Sequence, residues 1–140
     1  MQIDVVMDVV RHEDRLLILS KARDYREERE RYSRNPWEIP GGKIEAEPPY
    51  SYQDIRDAAR RELREETGLD GTVMSIGGTY ERTQDEDGQR LEITFHPVLL
   101  TVGQLDLELS DEHDRARWID RETFREIVTA NETTALERVR

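Results

Sequence analysis

The chain has no cysteine, and it carries only 2 lysines against 19 arginines in 140 residues. Without a thiol, neither a disulfide framework nor a thiolate metal site can form. No apolar run approaches the length needed to span a bilayer, and no basic-then-apolar segment opens the sequence. The expectation is a cytoplasmic protein with no membrane partner. Positive charge is outweighed, with a formal net charge of −11. So acidic a surface argues against a nucleic acid polymer as partner, which would need a basic patch. Free nucleotides are not excluded, because a metal ion and local arginines can offset phosphate charge. The length suits one domain over residues 1–140 with one core.

Within this acidic chain, residues 58 to 69 read Ala-Ala-Arg-Arg-Glu-Leu-Arg-Glu-Glu-Thr-Gly-Leu. Glu62, Glu65 and Glu66 stand three and four apart, so on a helix they share one side. Glu62 and Glu66 fall close to Ile55 and Ala59, and Glu65 falls beside Ala58. Arg56, Asp57, Arg60, Arg61 and Arg64 take the other, exposed side. Acids on an inward face are tolerated only when paired or bound to a metal. A cluster of hard oxygen ligands suits Mg²⁺ or Mn²⁺. The plain alternative is a solvated helix held by pairs such as Arg61 with Glu65.

The residues before the helix sharpen the choice. Trp37-Glu38-Ile39-Pro40-Gly41-Gly42-Lys43-Ile44-Glu45 reads as a short strand entering a Gly-Gly turn, where backbone can approach a phosphate or metal. Together, Gly42, Arg61-Glu62-Leu63, Glu65-Glu66 and Gly68-Leu69 resemble the Nudix box, the signature of the Nudix hydrolases. The helical half is complete from Arg61 to Leu69. The first Glu of the box should lie eight residues before Arg61, where this chain has Gln53, and the loop before it is five residues longer than usual.

The resemblance implies an α/β (α+β) fold, an α/β/α sandwich around a mixed sheet, and a pyrophosphohydrolase acting on a phosphoric anhydride bond. It implies Mg²⁺ or Mn²⁺ held by Glu62, Glu65, Glu66 and the carbonyl of Gly41. In the MutT-like branch a loop Glu six residues before a Trp acts as base or further ligand, and Glu112 matches it before Trp118. Arg61 would orient the acids by a charge-assisted hydrogen bond. Lys43 would meet a phosphate, and Asn131, in Thr129-Ala130-Asn131-Glu132, would meet a purine base or else cap a helix. Glu81 and Glu92 are reserve candidates for the base. His113 reads as a surface residue, and Trp37 and Trp118 as core packing. The partner is a small-molecule nucleoside diphosphate derivative, and a homodimer is compatible with the resemblance.

Substrate follows from what is missing. No proline lies between Pro49 and Pro97, unlike the ADP-ribose branch, and no tyrosine follows Tyr80, unlike the dinucleoside-polyphosphate branch. Both absences favour a nucleoside triphosphate, with an oxidised dNTP as first choice. The absence of cysteine counts against the isomerase that shares the fold. Gln53 and the longer loop leave a nucleotide-sensing module without turnover as the alternative. High acid with almost no lysine is similar to proteins of salt-loving archaea, although a GC-rich genome favouring Arg codons leaves the same imbalance.

The remaining pattern predicts strands at Gln2 to Arg11, Arg15 to Lys21, Thr72 to Arg82 and Arg90 to Val102, with Asp87-Gly88 as a hairpin turn. Leu105, Leu107 and Leu109 alternate with acids and predict a further strand or edge, and Ala116 to Ile119 a short strand. Arg23 to Asn35 predicts a mobile charged loop. Ser51 and Asp54 predict a cap for the box helix and Gly68 its end. Asp120 and Asn131 predict the starts of two C-terminal helices.

Overall fold

The computed structural model describes residues 1–22 and 35–139, so the expected loop from Arg23 lies outside the described residues up to Arg34. In chain order the elements are β1 (Gln2–His12), β2 (Arg15–Lys21), β3 (Trp37–Glu38), β4 (Gly41–Lys43), α1 (Tyr52–Thr67), β5 (Thr72–Ile76), β6 (Tyr80–Glu86), β7 (Gln89–Thr101), β8 (His113–Ile119), α2 (Arg121–Ile127) and α3 (Ala130–Val139).

The sheet is mixed. β1 and β7 run parallel, in register from Gln2 opposite Glu92 to Arg11 opposite Thr101, while the other ladders are antiparallel. Successive strand residues face opposite ways. Val6, Val10, Leu17 and Leu19 therefore meet Ile55, Ala59 and Leu63 of α1. Val9, Leu16 and Ile18 meet Phe124 of α2 and Leu136 and Val139 of α3. A sheet covered on both faces explains why Leu16 to Leu19 is an unbroken apolar run.

β1 and β2 pair only at their hairpin end, through Arg11 with Leu16 and His12 with Arg15. Beyond it β3 pairs with β2 and β4 with β1, so residues 37–43 enter between the two strands. This places Gly41 opposite Met7 and Gly42 opposite Val6. The expected Gly-Gly turn is thus a strand. A Cβ on Gly41 would lie 2.2 Å from the carbonyl oxygen of Val6, so only glycine permits this approach.

Local signals explain the ends of α1. The Ser51 side chain accepts from the Asp54 N–H and the Asp54 side chain accepts from the Ser51 N–H, a full capping box. Gly68 closes the helix at φ 72°. The β6–β7 hairpin turns through Asp87 at φ 50° and Gly88 at φ 77°.

Three expected elements differ. Thr72 to Arg82 is two strands, because Gly77 lies under the end of α3, where a Cβ would be 2.4 Å from the Arg138 carbonyl oxygen. Leu105, Leu107 and Leu109 form no strand. Leu107 and Leu109 pack on the α1 core, while the N–H groups of Glu108 and Ser110 donate to Thr67 and Glu66 carbonyls at 2.9 and 3.1 Å. Those donors complete the end of α1 and are not spent on a strand partner. Asn131 does not cap α3; it lies in the first turn of a helix that starts at Ala130.

Candidate active site

The entry of residues 37–43 between β1 and β2 sets β4 against the inward side of α1. The backbone N–H of Gly41 donates to Glu66 Oε2 at 3.3 Å. Gly42 leaves room for Glu62, whose carboxylate would be 2.6 Å from a Cβ there. Arg61 Nη2 donates to Glu62 Oε1 at 3.2 Å and to the Lys43 carbonyl at 3.0 Å, and Arg61 Nη1 lies 3.4 Å from the Glu45 carboxylate. Arg61 therefore does not share the exposed face with Arg60 and Arg64. It is half-buried and ties α1 to the loop after β4.

Glu66 is buried, and burial pushes its carboxyl up to about 9, aided by the negative charges of Glu62, Glu38 and Glu112 against the pull of the Gly41 N–H. Burial also raises Glu62; the hydrogen bond from Arg61 opposes this, and Glu65 and Glu112 add to it. Glu65 departs from the expected inward placement. Its side chain is 60% exposed, with Arg61 Nε 3.9 Å away. Ala58, two turns earlier on nearly the same side of the helix, is buried.

Glu112 is exposed in the irregular segment before β8, and its carbonyl accepts from the Ala22 N–H at 2.7 Å. Its charge acts on both Glu62 and Glu66. Lys43 is exposed on β4. Asn131 belongs to the opposite layer, where its carbonyl accepts from the Tyr80 hydroxyl at 2.8 Å. The structure thus gathers Gly41, Gly42, Arg61, Glu62 and Glu66, and brings the charge of Glu112 to bear on them. It leaves Glu65 and Lys43 facing solvent and Asn131 across the sheet. Glu81 and Glu92 are exposed on the β6–β7 ladder, with Glu92 beside Gln2 at 3.4 Å.

His113 is not a surface residue. It is buried, with Nε2 2.8 Å from Glu38 Oε2, while Lys21 Nζ stands 3.2 Å from Glu38 Oε1. Trp118 packs on the α1 core and Trp37 on the α2–α3 core. Both also border an open cleft of about 820 Å³ with Leu105, Leu107, Arg115 and Arg117, and no box acid lines it.

One acid was missed from sequence. Asp8, on β1, is 0% exposed, and neither carboxylate oxygen has a hydrogen-bond partner among the described residues. Burial, then Glu66, then Glu62 push its carboxyl well above the usual range. The signal was a lone acid in the apolar run Val5 to Val10, in step with Val6 and Val10, which face α1.

Among the described residues no three acids or histidines are already gathered tightly enough to hold an ion. The donor set nonetheless fits a hard divalent cation. Glu66 and Glu62 are oxygen donors that repel each other, and the single backbone N–H on Glu66 leaves most of its acceptor capacity unused. A divalent cation would supply the charge this arrangement lacks.

A mixed sheet lies between helical layers, with a glycine strand set against an acid-bearing helix. The NUDIX domain model matches residues 2–138, and the chain belongs to that family. The chain is similar in structure to a MutT NUDIX hydrolase from Burkholderia pseudomallei, at TM-score 0.71 and 17% identity, covering 100% of this chain and 99% of that one. A NUDIX hydrolase from Nitrosomonas europaea gives TM-score 0.69 and 22% identity over 99% and 88% of the two chains. A MutT protein from Methanosarcina mazei Go1 gives TM-score 0.64 and 23% identity over 98% and 91%. No curated protein sequence gave a significant match. Among the described residues no helix is long and apolar enough to cross a membrane.

Proposed function

We propose that the protein is a Mg²⁺- or Mn²⁺-dependent hydrolase of nucleoside diphosphate-linked compounds, and within that class a nucleoside triphosphate pyrophosphohydrolase acting on an oxidised dNTP. The observation that carries this reading is the pairing of Glu66 with the Gly41 N–H beside Glu62, which Arg61 holds against Gly42. The set that would hold the cation is Glu62, Glu65, Glu66, Glu112 and the Gly41 carbonyl. When bound, the cation neutralises phosphate oxygens and lowers the pKa of the attacking water.

The chain's own groups do the rest. Arg61 fixes the Glu62 carboxylate through its guanidinium, so one acid is oriented before substrate arrives. Lys43, exposed at the end of β4, meets a phosphate oxygen of the substrate. Glu112 lies in the segment strapped to the C-terminal end of α1 through Ser110 and Glu108, and its carboxylate takes the proton of the attacking water. Glu65, solvent-facing on the next turn from Glu62, turns in when the site is loaded.

The test is a panel of nucleoside diphosphate derivatives and nucleoside triphosphates, including oxidised dGTP, incubated with Mg²⁺ or Mn²⁺. Released pyrophosphate is the expected product for the triphosphates. Turnover confined to dinucleotide or sugar-linked substrates would reject the triphosphate assignment, and no turnover with any of them would reject the metal-dependent reading.

A further inference from the structure

The acid buried beneath the box helix has no role so far. Asp8 lies at the middle of β1, between Val6 and Val10, and all three side chains face α1. The Val residues are absorbed by the core. Asp8 is not: it is fully shielded from water, and neither oxygen meets a donor among the described residues. An ionised carboxylate in that position costs free energy, and it is tolerated only beside a cation or after taking up a proton.

What surrounds it narrows the choice. The charges that act on it most are those of Glu66 and Glu62, two further acids. Its backbone N–H donates to the Pro40 carbonyl at 2.9 Å, which places residue 8 beside the strand carrying Gly41. Gly41 in turn donates to Glu66. Asp8 on β1 and Glu66 and Glu62 on α1 therefore face residues 40–42 from two elements, although among the described residues they are not gathered tightly enough to hold an ion as they stand. Among the described residues no guanidinium or ammonium pairs with Asp8. The group that would satisfy all three acids is a cation small enough to sit among them, and oxygen ligands of this hardness select Mg²⁺ or Mn²⁺ over softer metals.

We propose that Asp8 is a further member of the divalent-cation site of this chain, a strand-borne carboxylate that holds the ion from below together with Glu62 and Glu66. This rests on the metal-dependent reading above, and it adds a residue outside the box motif. β1 is paired on both sides here, with β4 and with β7, so Asp8 cannot retreat to solvent.

The test uses Mn²⁺ alone, without nucleotide, on the whole protein. Mn²⁺ binding is read by electron paramagnetic resonance and by the rise in Tm that the ion causes. Asp8→Asn keeps the shape and removes the charge, and Asp8→Val puts the neighbouring residue type into a buried strand position. Both are expected to melt at least as high as the parent in the absence of metal, and to bind Mn²⁺ about 10–100-fold more weakly. Parental affinity in either variant overturns the proposal. Failure of both to fold without metal also overturns it, because an acid kept for the cation is not required by the metal-free fold. Glu66→Gln separates the two readings. If it loses Mn²⁺ while Asp8→Asn does not, only the role of Asp8 falls. If it too binds as the parent does, the cation site at the box falls with it.

Discussion

The carboxylate of Glu62 fills the space that a side chain on residue 42 would need, 2.6 Å from where its Cβ would be. The obstacle is the far end of a flexible side chain, so Gly42→Ala should fold and displace Glu62. The expected result is a loss of roughly 10–100-fold in kcat/KM with little change in Tm. Gly41→Ala differs in kind, because its Cβ would strike the Val6 backbone carbonyl at 2.2 Å. It should lose about 1–3 kcal/mol of stability or more. Thermal melts and pyrophosphate release on the two variants check the contrast.

Glu66→Gln should abolish turnover while stabilising the metal-free protein at neutral pH. The folded carboxyl is raised from 4.5 to about 9. A raised acid contributes stability that is fully present below the unfolded value and lost as pH rises through the folded one. The metal-free parent should therefore lose up to about 1.4 kcal/mol per pH unit across that window. The amide has no proton to lose, so its stability curve should be flatter there. Urea melts at several pH values in a chelator test this, and parallel curves for parent and variant would contradict the burial of that charge.

Glu112→Gln should lower kcat by about 10²–10⁴ with KM little changed if its carboxylate takes the water proton. A variant that regains its rate at high Mn²⁺ would mark Glu112 as a ligand instead. Retention of most of kcat at every metal concentration would remove it from the site and bring Glu81 and Glu92 forward.

Gln53→Glu should change activity little. Gln53 is exposed in the first turn of α1, where its amide donates to Asp57 at 2.6 Å, far along the helix from Glu62 and Glu66. A gain of several orders of magnitude would identify the missing box acid as a required part of the chemistry.

Stability should rise with salt. With a net charge of −11, repulsion among surface acids is shortened to about 3 Å in roughly 1 M KCl. A higher Tm in KCl than in dilute buffer is expected, and an unchanged Tm would set aside the resemblance to proteins of salt-loving archaea.

The box helix was legible in the sequence because its determinants are local. A Ser51–Asp54 cap, a Gly68 stop and the four-residue spacing of Glu62 and Glu66 act within a few turns of chain. The same is true of β2 and of the Asp87-Gly88 hairpin, where alternation and turn chemistry suffice. The placements that differed depend on partners distant in sequence. His113 is buried because Glu38, 75 residues away, offers it a carboxylate. Gly77 breaks a strand because the end of α3 passes over it, and residues 108 and 110 leave strand geometry to complete the end of α1. Arg61 leaves the solvated face because the Lys43 carbonyl at the end of β4 and Glu45 in the loop after it approach it. Asp8 shows the division most plainly. By sequence it is one acid in an apolar strand; the close approach of β1, β4 and α1 strips away its water and surrounds it with like charge. Periodicity reports which way a side chain faces, whereas its charge state and partners are set by whatever the rest of the chain packs against it.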